Sequence, residues 1–172
     1  FWAAMDEVYP TARQQRCWQH KTMNVLNCLP KLSQPKAKAA IHNIWQAETK
    51  DHAEKAFDLF IKIYEPKYPK AALCLQKDRA ELMAFFDFPA QHWQSIRTSN
   101  PIESAFATIR HRTKRSKGCL SRDGMLHMMF KLGQCAEQNW RKLRGFDYLA
   151  KVITGIRFKD GIETTNPDQI AA

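Results

Sequence analysis

Apolar residues in this chain recur mostly three and four apart and seldom alternate, which is the periodicity of helices with one buried face. Phe1, Trp2, Met5, Val8 and Tyr9 form the first such face, and Pro10 stops it. Met23, Leu26 and Leu29 predict a helix from His20 to Leu29, closed by Pro30. Ala37, Ala40, Ile41, Ile44 and Trp45 predict one over Lys36–Gln46, and Ala53, Ala56, Phe57, Phe60, Ile61 and Tyr64 another that runs up to Pro66. Two more fall over Lys67–Leu75 and Asp78–Phe88, the second broken by Pro89. Beyond Asn100, Ile102, Ala105, Phe106 and Ile109 stand at i, i+3, i+4 and i+7, again one buried helical face. A Gly118-Cys119-Leu120-Ser121 turn then leads into a long helix from Arg122 to about Arg144, with Met125, Met129, Leu132, Ala136, Trp140 and Leu143 on its apolar side.

Little else is regular. Arg13 to Trp18 is the best place for a buried strand, although its alternation is poor. Tyr148–Ile153 is short and apolar, and Lys159-Asp160-Gly161 has the Asp-Gly signature of a hairpin turn. Residues from about Thr164 are polar and expected to fray. There is no repeat and no low-complexity linker, so the Met and aromatic stripes predict core. The block from roughly Pro30 to Pro89 is apolar-rich and free of chemical motifs, and reads as an inserted or accessory helical module.

Charge changes this picture from a helical protein to a helical protein with a polyanionic partner. The 172 residues carry 27 Lys and Arg against 17 acids, a net +10, and nucleic acid is the commonest partner for that balance. The excess is local: Arg97, Arg110, Arg112, Lys114, Arg115, Lys117 and Arg122 face a single acid, Glu103, within one segment. Six glycines and no Gly-rich loop argue against a P-loop or dinucleotide site. Asp6, Glu7, Asp78, Glu81 and Asp87 fall on exposed-looking faces and make no catalytic pair. The five cysteines, Cys17, Cys28, Cys74, Cys119 and Cys135, are odd in number and scattered, as in reduced cytosolic proteins, and no apolar run is long enough to span a bilayer. The chain opens inside an amphipathic pattern without an initiator Met, and is expected to be a piece of a longer polypeptide.

Two constellations carry candidate chemistry. Ser99 and Asn100 are good N-cap residues, Pro101 suits the first helical position, and Glu103 closes an Asn-x-x-Glu capping box. The same Glu103 lies beside an apolar face and ahead of a cationic strip, which also suits metal-bound chemistry on a phosphate backbone; spacing leaves both roles open. Cys17-x-x-His20 has the spacing of half a zinc site, but no second Cys/His pair follows, so no structural zinc is expected. The alternatives are a packed Cys with a hydrogen-bonded His, or a charged His near a catalytic centre.

The stretches Arg16-Cys17-Trp18-Gln19-His20-Lys21-Thr22-Met23-Asn24-Val25-Leu26, Arg97-Thr98-Ser99-Asn100-Pro101-Ile102-Glu103-Ser104-Ala105-Phe106-Ala107-Thr108-Ile109-Arg110 and Thr113-Lys114-Arg115-Ser116-Lys117-Gly118-Cys119-Leu120-Ser121-Arg122 together resemble the Mutator-type transposases of bacterial insertion sequences. The resemblance runs to about Gly161. It implies a mainly α chain that is the C-terminal part of a ribonuclease H-like α/β core: a core remnant with the Cys-x-x-His motif over 1–29, a helical insertion over 30–89, C-terminal core helices over 90–163 and a flexible tail over 164–172. It implies metal-dependent DNA cleavage and strand transfer by an Asp-Asp-Glu triad holding two magnesium ions, with Glu103 as the third acid and metal ligand. Both Asp residues belong upstream and Asp6 does not match them, so the chain alone is expected to be inactive. A non-catalytic DNA-binding remnant or inhibitor of transposition is the alternative. DNA contacts are implied for Arg97, Arg110, Arg112, Lys114, Arg115, Lys117 and Arg122. A role of uncertain kind falls to Cys17 and His20. A homo-oligomer in the bacterial cytoplasm, associated with the nucleoid and away from membranes, completes the expectation.

Overall fold

The computed structural model describes residues 3, 7–115, 117 and 121–164. Among these described residues nine helices follow one another: α1 (Trp18–Asn27), α2 (Gln34–Trp45), α3 (Lys50–Tyr64), α4 (Pro69–Gln76), α5 (Arg79–Met83), α6 (Trp93–Ile96), α7 (Asn100–Arg115), α8 (Arg122–Glu137) and α9 (Asp147–Ile153). Local chemistry sets their starts. Proline occupies the first turn of α2 and of α4, where an amide donor is not needed. Thr49 Oγ1 accepts from the His52 amide at 3.3 Å to cap α3, and Ser121 Oγ does the same for Gly124 at 3.1 Å to cap α8.

α1 to α5 share one core. Trp18, Val25, Ile41, Ile44, Phe57, Phe60, Leu75, Leu82, Phe85 and Phe86 are all buried in it, so the core runs continuously from the Cys-x-x-His segment into the helical block. α1 packs on α2 and α4, and α3 lies against both of these. Each fully buried Phe contributes roughly 2–3 kcal/mol of transfer free energy. Trp18 adds a hydrogen bond from Nε1 to the Leu82 carbonyl at 2.8 Å. Lys21, 1% exposed, is buried with them. Its Nζ donates to the Cys74 carbonyl at 2.9 Å and pairs with Asp78, which also meets Arg16 at 3.3 Å.

Several expectations are corrected. Residues 12–17 have no regular secondary structure and join no sheet among the described residues, and Trp18 already begins α1. The reason is their surroundings: Arg16 N donates to the Glu81 carbonyl in α5 at 3.0 Å and Trp18 N to Arg97, just past α6, at 2.9 Å, so these donors do not go to a second strand. The helix expected over Asp78–Phe88 divides into α5 and a 3-10 turn at Ala84–Asp87. There the Phe86 carbonyl accepts from Gly161 N at 3.2 Å instead of continuing a helical ladder. α8 stops at Glu137, well short of Arg144, because Asn139 N and Trp140 N turn back on Ala136 and Glu137 at 3.0 Å each. The face expected to be buried on α7 is open, with Ile102 62% and Phe106 53% exposed. α7 packs on α8, and no described residue of α8 is buried.

The terminal hairpin forms as expected, β1 (Phe158–Lys159) pairing antiparallel with β2 (Ile162–Glu163). Asp160 and Gly161 both have positive φ, 51° and 80°, the conformation an Asp-Gly turn supplies cheaply. A Cβ on Gly161 would fall 2.6 Å from that of Ala90, so glycine also permits the close approach to the 86–90 turn. Asp160 Oδ1 accepts from the Lys50 amide at 2.6 Å, reaching the start of α3. The first apolar face falls largely outside the described residues, as do the centre of the Gly118–Leu120 turn and the tail from 165 onward.

Candidate functional site

Two helix starts meet at the candidate site. Cys17 is the residue before α1 and His20 stands in its first turn; Ser99 is the residue before α7 and Glu103 stands in its first turn. The bond from Trp18 N to the Arg97 carbonyl holds the two chain segments side by side. Ser99 is the hub. Its amide donates to Cys17 Sγ at 3.3 Å, and its Oγ lies 3.4 Å from the same sulfur, 3.2 Å from His20 Nδ1 and 2.6 Å from Glu103 Oε1. His20 Nε2 stands 3.3 Å from that same carboxylate oxygen.

The Ser99 hydroxyl has one proton to share among these acceptors, and its contact with Glu103 is the shortest. His20 Nδ1 faces Oγ and Nε2 faces the carboxylate, so the imidazole lies between the hydroxyl and the acid. The Glu103 carboxylate also sits where the N-terminal dipole of α7 favours negative charge. Burial pushes the Cys17 thiol up, but hydrogen bonds from the Ser99 hydroxyl and from the His20 and Ser99 amides outweigh it and hold the thiol below its ordinary value. Cys17 and His20 therefore converge on Ser99 and, through it, on Glu103. Ser99 was legible in the sequence only as a cap; the signal for more was its i, i+4 spacing to Glu103.

The described residues do not by themselves fit a two-metal centre. Glu103 is one carboxylate whose Oε1 is already held by a hydroxyl and an imidazole. Among the described residues no group of three His, Cys, Asp or Glu side chains is arranged to hold a metal ion.

The cationic residues divide. Arg110, Arg112, Lys114 and Arg115 are exposed along the second half of α7, and among the described residues none forms an ion pair. Arg110 is seven residues from Glu103, roughly 10 Å along the helix axis. The last-turn cations Arg112, Lys114 and Arg115 also complement the negative end of the helix dipole. Lys117 follows in a left-handed conformation (φ 54°), and Arg122 opens α8. Arg97 is elsewhere. Its guanidinium lies 4.6 Å from the Trp45 ring centre and donates from Nη1 to the Trp45 carbonyl at 3.0 Å, and burial pulls its pKa down. It ties the end of α2 to the junction of α1 and α7.

Residues 1–142 match the family model described as the transposase, Mutator family. The chain belongs to the Mutator family of transposases. It is 54% identical over 170 residues to the transposase for insertion sequence element IST2 of Acidithiobacillus ferrooxidans, covering 98% of this chain and 57% of that protein. It is 44% identical over 170 residues to the transposase for element IS6120 of Mycolicibacterium smegmatis, covering 99% and 53%. A more distant relative is the transposase for element IS905 of Lactococcus lactis, 32% identical over 111 residues, with 64% of this chain and 28% of that protein covered. This Mutator-family chain thus spans about half the length of the first two relatives. It is mainly helical, and among the described residues no helix is long and apolar enough to cross a membrane.

Proposed function

We propose that this chain is the part of an insertion-element transposase that brings one acid and a DNA-holding strip to the centre where DNA strands are cut and joined. The observation that carries the reading is the convergence of Cys17, His20 and Ser99 on Glu103, at the head of the helix bearing Arg110, Arg112, Lys114 and Arg115. Divalent ions, magnesium by resemblance, would supply charge stabilisation to a phosphodiester being cut, held by carboxylates of the complete transposase. Glu103 contributes one such carboxylate, and two Asp residues of a ribonuclease H-like core complete the set elsewhere in the transposase. Ser99 and His20 hold the Glu103 side chain in place; the strip, with Lys117 and Arg122, holds phosphates whatever the base sequence. The open apolar residues of α7 and α8 support this reading, because they give the rest of such a core a surface to pack on. The transposase works as a homo-oligomer on element ends and target DNA, at the bacterial nucleoid.

The test has two arms. The chain alone, incubated with magnesium or manganese and DNA bearing the element's ends, binds without nicking or joining it. A complete transposase carrying this sequence cuts and joins the same DNA, and loses both reactions on Glu103→Gln. Cutting by the chain alone that disappears in Glu103→Gln overturns the partial-site reading. A second reading, a non-catalytic DNA-binding module or inhibitor of transposition, is favoured by the lone carboxylate with an imidazole on its Oε1. Under it, adding the chain lowers transposition by an active relative in proportion to its DNA binding.

A further inference from the structure

The segment between α8 and α9 is not absorbed by the site described above. From Gln138 to Phe146 it has three cations, Arg141, Lys142 and Arg144, and no acid. Trp140, expected on a buried face, is 59% exposed, and Phe146 is 51% exposed with Lys142 Nζ 5.5 Å from its ring centre. Two exposed rings among three cations give the segment apolar faces beside positive charge.

The loop is also held in a fixed place. Gly145 has φ 66°, and a Cβ there would come within 2.6 Å of the Gln91 side chain, so the turn seats directly on the 91–94 segment. The Gly145 carbonyl is 2.9 Å from Nε2 of His92, which is buried, and Arg144 Nη1 donates to Gln94 Oε1 at 2.9 Å. The segment it seats on leads through α6 and Arg97 to Ser99, the residue before the Glu103 helix α7.

We propose that the Trp140–Phe146 loop, seated on the segment that leads into the Glu103 helix, is a contact for unpaired DNA bases. The cations select a polyanion. The exposed rings select one that offers open planar faces, and single-stranded DNA does so whereas a duplex hides its base faces in the stack. This rests on the reading that the chain handles DNA, and it adds a different substrate form from the phosphate backbone gripped by α7.

The experiment uses the whole chain and two fluorescent probes, a thymidine oligomer of about 20 nucleotides and a duplex of the same length, in one salt concentration. Trp140→Ala weakens binding of the thymidine oligomer about tenfold and leaves the duplex within about twofold, while Trp140→Phe keeps most of the affinity. Unchanged binding of the oligomer by Trp140→Ala overturns the proposal, as does an equal loss on both probes, which marks phosphate contact alone. If the unaltered chain binds neither probe, the DNA reading itself falls. If it binds duplex and loses this on replacing the α7 cations while Trp140→Ala is silent, the loop proposal falls alone.

Discussion

The body formed by α1 to α5 and the pair formed by α7 and α8 are written in the same periodic pattern, yet they end in opposite states. In the body, Val25, Ile41, Phe57 and Leu75 are wholly buried against one another. In the pair, Ile102, Phe106, Met125 and Met129 stand in a comparable pattern and are open. A helical stripe specifies a face, and whether the face is covered depends on what else the polypeptide brings. The body is the region that holds shape; the pair holds Glu103 and the strip.

The sharpest way to break that comparison is at Glu103. In a complete transposase, Glu103→Gln lowers strand cleavage by three orders of magnitude or more, on the order of 4 kcal/mol in barrier. The stability of the chain changes by no more than about 0.5 kcal/mol, since an amide still accepts from Ser99. Near-normal cleavage removes the acid from the chemistry, and a large stability loss makes it structural. Next, Phe57→Ala costs about 4 kcal/mol in urea unfolding, whereas Phe106→Ala in this chain costs under about 0.5; equal losses erase the distinction between the two regions.

Lys21 sharpens the body side. Lys21→Met leaves Asp78 without its main partner and costs about 3 kcal/mol. Burial pushes the Asp78 carboxyl up, but the Lys21 hydrogen bond and charge, with Arg16, outweigh it and hold it below its ordinary value. A carboxyl held low contributes stability that is present above its unfolded pKa of about 3.9 and is lost as pH falls through the folded value. Urea midpoints measured from pH 6 downward therefore show an acid-sensitive part that shrinks in Lys21→Met, and an identical acid limb refutes the pairing. On the pair, replacing Arg110, Arg112, Lys114 and Lys117 with Ala weakens DNA binding about a hundredfold on unrelated sequences. It also lowers the salt slope by roughly 0.9 for each phosphate that is no longer held. An unchanged slope makes these cations a solvated face. The smallest effect belongs to Ser99→Ala, which costs about 1 kcal/mol and lets the Cys17 thiol titrate at higher pH. Thiolate absorbance, taken as the difference from Cys17→Ser, checks it.

The helices of the body were legible because their partners lie within the chain: Ile41 and Phe57 are periodic, and each finds the other's helix. The boundaries that moved did so for tertiary reasons. Trp18 joined α1 because Arg97 and Leu82 offered it carbonyls, and the 84–87 turn tightened where Gly161 took the Phe86 oxygen. Glu103, Cys17 and His20 could be singled out from the sequence, but their meeting could not, since Ser99 bonds residues 79 and 82 positions away. Arg97 looked like part of a cationic strip because charge counts carry no direction; Trp45, 52 residues earlier, turns it inward.

The clasp of the terminal hairpin has a consequence for how the chain is made. Asp160 completes the start of α3 from 110 residues downstream of Lys50. At translation speeds of about 5–20 residues per second, roughly 5–20 s pass between synthesis of the two. During that interval the Lys50 amide has water in place of Asp160, and the 86–90 turn lacks the strand that closes on it. A ribosome-held chain ending before Asp160 should therefore be cut by protease at residues 46–50, and one released after Glu163 should resist.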